Sequence, residues 1–155
     1  MATDITGLVS RFEAEVGYDD ELSLPNLIQF LKLAVTDFNS EAPTGFTLTG
    51  TTLDRDATAL EQTLIVLMAL NIYLRGEAVK WSKLAIVHSN VAGRTKLDGV
   101  EFALAKRRTE LGKDITAKLS QLTEAGVVAG VAAAELGETL AYAPPHNNPL
   151  MPPYI

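Results

Sequence analysis

Between Leu60 and Leu74 the chain is apolar on almost every turn and on several sides at once, so a helix built from this stretch has no face to turn toward solvent. Such a helix is stable only when other elements surround it. Its densest run, Leu64 to Leu70 continued by Ile72, Tyr73 and Leu74, is interrupted by Asn71 and closed by Arg75, well short of the roughly 20 residues that span a membrane. The segment therefore predicts the central helix of a bundle, from Ala57 to about Ser82, with Leu64, Leu67, Met68 and Leu70 at the centre of the core. Asp54 or Asp56 is the expected cap and Trp81 the anchor of the far end. Gly76 loosens it at a cost of about 1 kcal/mol relative to Ala.

The partners of that helix are legible on both sides of it. Asp4 to Val16 predicts a short first helix, with Ile5, Leu8, Val9, Phe12 and Val16 on one face and Gly17 as the stop. After the acidic turn Tyr18-Asp19-Asp20-Glu21, Ser23 followed by Leu24-Pro25 marks a helix start. This second helix runs to about Asn39, with Leu24, Leu27, Ile28, Leu31, Ala34, Val35 and Phe38 in one stripe. Pro43, Gly45, Gly50 and the alternation of Phe46 and Leu48 with Thr47 and Thr49 predict an extended loop or small hairpin over Ser40 to Leu53. Leu84 to Val87 reads equally as a helix tail or a short extended piece, and Ser89 to Gly93 as a turn. A basic fourth helix is expected from Leu97 to about Glu124. Its stripe is Leu97, Val100, Leu104, Leu111, Ile115, Leu119 and Leu122, and Arg107 and Arg108 interrupt it.

Beyond Gly126 the composition shifts to the small-residue stretch GVVAGVAAAELGETLA and then to YAPPHNNPLMPPYI. Five of the seven prolines fall in the last twelve residues, which rules out a regular core element there and favours an extended path. The whole is expected to be all-α: a helical bundle of about four helices over 1–125 with a small extended loop or hairpin, then a segment 126–155 ending in an extended Pro-rich arm. A length of 155 residues suits one domain with its own core. The N-terminal stretch has no basic region followed by an apolar one, so no secretion signal is read and an intracellular product is expected.

Charge is segregated along the chain. Residues 1–62 carry three basic and eleven acidic side chains, residues 63–125 ten basic and six acidic, and residues 126–155 only Glu135 and Glu138; the overall net charge is -6. Oppositely signed surfaces neutralise each other within a fold or meet between copies in a head-to-tail contact, which closes into a ring when the rotation permits. The net charge disfavours nonspecific nucleic-acid binding by the chain as a whole.

Residues that would carry catalysis are sparse. Zero cysteines exclude a disulfide scaffold, thiolate zinc, iron-sulfur clusters and a Cys nucleophile. The two histidines, His88 and His146, form no HExxH pair, and Asp19, Asp20 and Glu21 lack calcium-loop spacing. Gly112-Lys113 fails as a phosphate loop because Arg107 stands where the first Gly is required and Asp114 follows the Lys. Gly126 and Gly130 form only a small-residue pair suited to close helix packing. Ser82 or Ser89 with His88 and Asp98 makes a chance triple without a nucleophile elbow. Glu61 or Glu77 is a conceivable acid or base in a bundle core, without the Glu-x-x-His of carboxylate metal bundles. No catalytic residue, metal or cofactor is expected. Lys106, Arg107 and Arg108, with Arg94, Lys96, Lys113 and Lys118 nearby, face solvent, partner carboxylates or DNA phosphates.

The layout of a capped second helix, SLPNLIQFLKLAVTDFN, a Thr- and Gly-rich interruption, an apolar third helix, TALEQTLIVLMALNIYLRGEAVKW, and a basic fourth helix resembles the head-to-tail connector, or neck adaptor, proteins of tailed bacteriophages. The likeness covers roughly residues 20–124 and rests on helix order and texture, not on a catalytic motif. It implies a helical subunit of a homo-oligomeric ring that sits beneath the portal, extends the DNA channel and grips a neighbouring ring through a terminal arm. It also implies a place in the virion neck, after assembly in the host cytoplasm, and no membrane partner. The residues expected to meet a partner are Arg107 and Arg108 on the basic helix and Pro144, Pro145, Leu150, Met151, Tyr154 and Ile155 on the arm. The reading from another class is a small helical enzyme or regulatory ligand-binding domain with a pocket between helices three and four.

Overall fold

The computed structural model describes residues 2–17, 22–87 and 91–141, with side chains described up to 84 and from 99 to 126. The architecture is all-α apart from one minimal ribbon: a 3-10 turn Ile5–Leu8, α1 Val9–Val16, α2 Leu24–Glu41, β1 Leu48–Thr49, β2 Thr52–Leu53, α3 Ala59–Val87 and α4 Val91–Ala141. Two compact units divide the chain, Met1–Thr123 and Glu124–Ile155. Among the described residues no helix is long and apolar enough to cross a membrane.

The first helix begins as a tight turn because the Asp4 carboxylate accepts the Thr6 backbone N–H at 2.9 Å, and that bond holds the Asp4 carboxyl below its ordinary pKa. It stops at Gly17, whose φ of 85° takes the chain out of the helix at a position a side chain would strain. Ser23 starts α2 through its backbone, its carbonyl accepting from Leu27 N at 3.1 Å. The expected hydroxyl cap is not made.

β1 and β2 pair antiparallel with Leu48 opposite Leu53 and Thr49 opposite Thr52. Gly50, with φ 65°, supplies the positive dihedral of the two-residue turn between them. The N-terminal residues then add along the free edge of β2. Leu53 N donates to the Thr3 carbonyl at 2.8 Å, Ile5 N donates to the Thr51 carbonyl at 2.9 Å, and Asp4 pairs with Thr52.

Inside this frame α1, α2 and α3 enclose Ile5, Phe12, Leu27, Leu31, Phe38, Leu53, Leu64 and Ile65, all fully buried. Edge-on aromatic contacts run from Phe12 to Phe30 (6.1 Å) and from Phe30 to Tyr73 (5.9 Å). Leu67 is not at the centre: it is half-buried and packs against the core from the side, because its row on α3, Thr63, Leu67 and Asn71, is the least covered, whereas the inward rows hold Glu61, Leu64, Ile65, Met68, Ala69 and Leu70. From α4, Leu111 and Ile115 are buried and Leu104, Leu119 and Leu122 partly so.

Leu84 to Val87 continues α3, and α4 extends past its expected limits at both ends. Val91, Ala92 and Gly93, expected in a turn, are helical. The small-residue stretch through Ala141 is helical too, since alanine orders with little side-chain entropy loss and the glycines cost only about 1 kcal/mol each.

Candidate functional site

The hairpin end of the bundle is organised around Glu61, the one buried charged side chain among the described residues, at 2% exposure. Neither Asp54 nor Asp56 caps α3. Thr58 does, in a reciprocal box: its Oγ1 accepts from Glu61 N at 3.3 Å, and its own N–H donates to Glu61 Oε2 at 2.7 Å. Asp56 instead accepts the Thr3 hydroxyl at 3.2 Å. Arg55 forks onto the same carboxylate, Nη2 to Oε1 at 2.6 Å and Nη1 to Oε2 at 3.2 Å, and its guanidinium lies 4.0 Å from the Phe46 ring centroid. Phe46 is in turn held by Asn39, which accepts from Phe46 N and donates to Phe46 O, both at 2.7 Å. Burial pushes the Glu61 carboxyl up, but the Arg55 and Thr58 hydrogen bonds outweigh it and hold it below its ordinary value. The Glu61 bonds raise Arg55 correspondingly. Oε1 accepts from Arg55 and Oε2 from both Arg55 and Thr58. Glu61 is thus a fastening for the hairpin. Glu77, the other such candidate, is half-buried beside Lys80 at 3.9 Å.

The two arginines singled out on α4 differ in surroundings. Exposed Arg107 donates from Nη2 to the Glu15 carbonyl at 2.6 Å, satisfying one of the carbonyls that α1 leaves open at its C-terminal end. Arg108 is half-buried, and its Nε is buried with no hydrogen-bond partner. It lines a cleft of about 380 Å³ between α3 and α4 with Asn71, Ala105, Thr109 and Gly112. The α4 members sit three, four and seven residues apart, hence on one face.

Farther along, Ser82 donates to Glu101 at 3.1 Å and ties α3 to α4. A shallow groove of about 450 Å³ there is lined by Gly76, Val79, Lys80, Lys83 and Leu84. Val79 is exposed, and Phe102 on α4 is exposed to 72%. Among the described residues no cluster of three or more His, Cys, Asp or Glu is placed to hold a metal ion.

His88, His146 and the arm residues Pro144, Pro145, Leu150, Met151, Tyr154 and Ile155 lie outside the described residues, as do the side chains of Arg94, Lys96 and Asp98. Residue chemistry does not single out Asn71 or Thr109, and it brings up Gly112 only as part of the rejected Gly112-Lys113 phosphate loop. Asn71 was visible only as a break in an apolar run, and its meeting with Arg108 depends on how two helices pair. Comparison with protein-family models, curated proteins and solved structures finds no match to this chain.

Proposed function

We propose that this chain is a structural virion protein, a head-to-tail connector subunit whose copies form a ring joining the portal to the tail or neck and extending the DNA channel. The observation that supports the reading is the segregation of charge along the chain. Acidic side chains concentrate in residues 1–62 and basic ones in 63–125. Surfaces of opposite sign on one chain suit contacts between copies, and the order of the helices resembles that of connector subunits. The arm from Ala143 to Ile155, apolar at Leu150, Met151, Tyr154 and Ile155 and stiffened by five prolines, is the element assigned to docking on the neighbouring ring. Its restricted backbone lowers the ordering cost of binding.

Truncation after Ala143 tests this. The expected outcome is unchanged helical content and melting temperature with loss of attachment to the portal or neck component. Binding by the truncated chain as tight as by the intact one removes the arm from the docking role.

A second reading has one observation in its favour: the Asn71–Arg108 cleft does lie between helices three and four. Among the described residues its lining offers an anion-binding arginine and no His or carboxylate to move a proton at neutral pH, which suits ligand binding better than catalysis.

A further inference from the structure

We propose that the Asn39 side chain stands in for a neighbouring strand beside β1 and keeps the outer edge of the ribbon closed to the same edge of a second copy of this chain. The inference is independent of the ring reading above.

The ribbon has two edges, and backbone closes only one of them. Residues 3–5 bond along β2. On β1 the direction of the peptide groups follows from the pairing. The Thr47 carbonyl accepts from Asp54 N across the ribbon at 3.0 Å, so by strand alternation the N–H and C=O of Phe46 and of Leu48 point away from β2. Asn39 takes both groups of Phe46: Phe46 N donates to Asn39 Oδ1 and Asn39 Nδ2 donates to the Phe46 carbonyl, each at 2.7 Å. One residue of an antiparallel neighbour makes the same pair of bonds. Gly45 leaves room for that amide. Its φ is not positive, so the backbone does not require glycine there, but an added Cβ would stand 3.0 Å from Asn39 Oδ1 and 3.2 Å from Asn39 Cγ.

The edge has few other defences. Charged residues and prolines commonly protect a strand edge from pairing with another chain, and residues 46–53, FTLTGTTL, contain neither. Their threonines and the alternation of Phe46 and Leu48 with Thr47 and Thr49 suit an extended strand. Without the amide, Phe46 and Leu48 together offer their N–H and C=O groups on one side, which lets two copies pair antiparallel across β1. The last turn of α2, which ends at Glu41, carries Asn39 to this edge.

The intact chain and three variants, compared at high salt to screen contacts between charged surfaces, test the assignment. Sedimentation reads self-association, and amide I infrared absorption reads strands paired between copies. Asn39→Ala bares the Phe46 groups and is expected to strengthen self-association by about tenfold or more, with a gain of intermolecular strand absorption. Gly45→Ala crowds the amide without removing it and is expected to show the same change in smaller measure, with helical content retained. Asn39→Ala combined with Leu48→Pro removes one outward N–H and sets a proline on the edge. It is expected to associate no more than the unaltered chain, although it is the least stable of the three. Loss of stability in Asn39→Ala without a gain of strand-paired association overturns the proposal, as does a double variant that associates as strongly as Asn39→Ala. Where Asn39→Ala fails to fold, Gly45→Ala decides alone: association equal to that of the unaltered chain overturns the proposal.

Discussion

Arg55 and Arg108 both lie against the bundle, and their surroundings are opposite. The Arg55 guanidinium is engaged by the Glu61 carboxylate, the Asp56 carbonyl and the Thr44 hydroxyl and is stacked on Phe46, so its charge is consumed in fixing the hairpin to the start of α3. Arg108 has a buried nitrogen with no acceptor, beside an open cleft. A fully bonded charge belongs to the fold; a half-buried and unbonded one weakens the fold where it stands. The first kind of residue is read through stability and the second through association.

That contrast predicts a graded series of stability effects. The largest is expected one turn beyond Glu61 on the same inward row of α3: Leu64→Ala costs about 2 to 5 kcal/mol in urea unfolding through lost burial and a residual cavity. Half-buried Leu67, with less to lose, costs about 1 kcal/mol on the same change. Equal losses at the two positions would erase the inward row.

Arg55→Met comes next, at about 2 kcal/mol, because it strands the Glu61 carboxylate in the interior with Thr58 alone; the 39% exposure of the Arg55 side chain keeps the figure at the low end of the range for broken buried pairs. The same pair predicts a pH dependence. The Glu61 carboxyl sits below its ordinary value of 4.5 in the fold, so the folded chain binds this proton less readily than the unfolded one, and the pair's stabilisation is complete above pH 4.5. It is lost as the pH falls through the depressed folded pKa. The stability advantage of the unaltered chain over Glu61→Gln should therefore shrink progressively on acidification below 4.5, and an advantage constant down through that range would show that the ion pair is not its source. The series ends with Arg108→Met, which is expected to cost nothing and to stabilise the fold by about 1 kcal/mol, since no bond within the chain is lost and a buried unsatisfied donor is removed. A loss as large as that of Arg55→Met would place Arg108 in an internal network and cancel the comparison.

How far these features could be read from residues alone varied with the distance over which they are set. The first two helices, the stop at Gly17 and the ribbon around Gly50 are local, and each lies close to where its residues predict it. The start of α3 is also local, yet Thr58 and Glu61, a Thr-x-x-Glu pair, were overlooked beside Asp54 and Asp56, which look like equally good caps until the N-terminal segment and hairpin engage that loop. A helix apolar on several sides does not show which of them is least covered, so Leu67, expected at the centre, lies half-buried at the side of the core. Glycine misled in the other direction at Gly93, where a single turn signal was outweighed by helix-compatible neighbours. The meeting of Asn71 with Arg108 was beyond reach, since it depends on the relative placement of α3 and α4 and on no motif in either.

The central claim, that charges unmatched within one copy are matched between copies, is tested most directly by the native mass of the intact chain followed against protein concentration and salt. The account predicts assemblies larger than a dimer that dissociate as ionic strength rises and screens the contact. A monomer at every concentration, or a dimer that grows no further at any ionic strength, would contradict it.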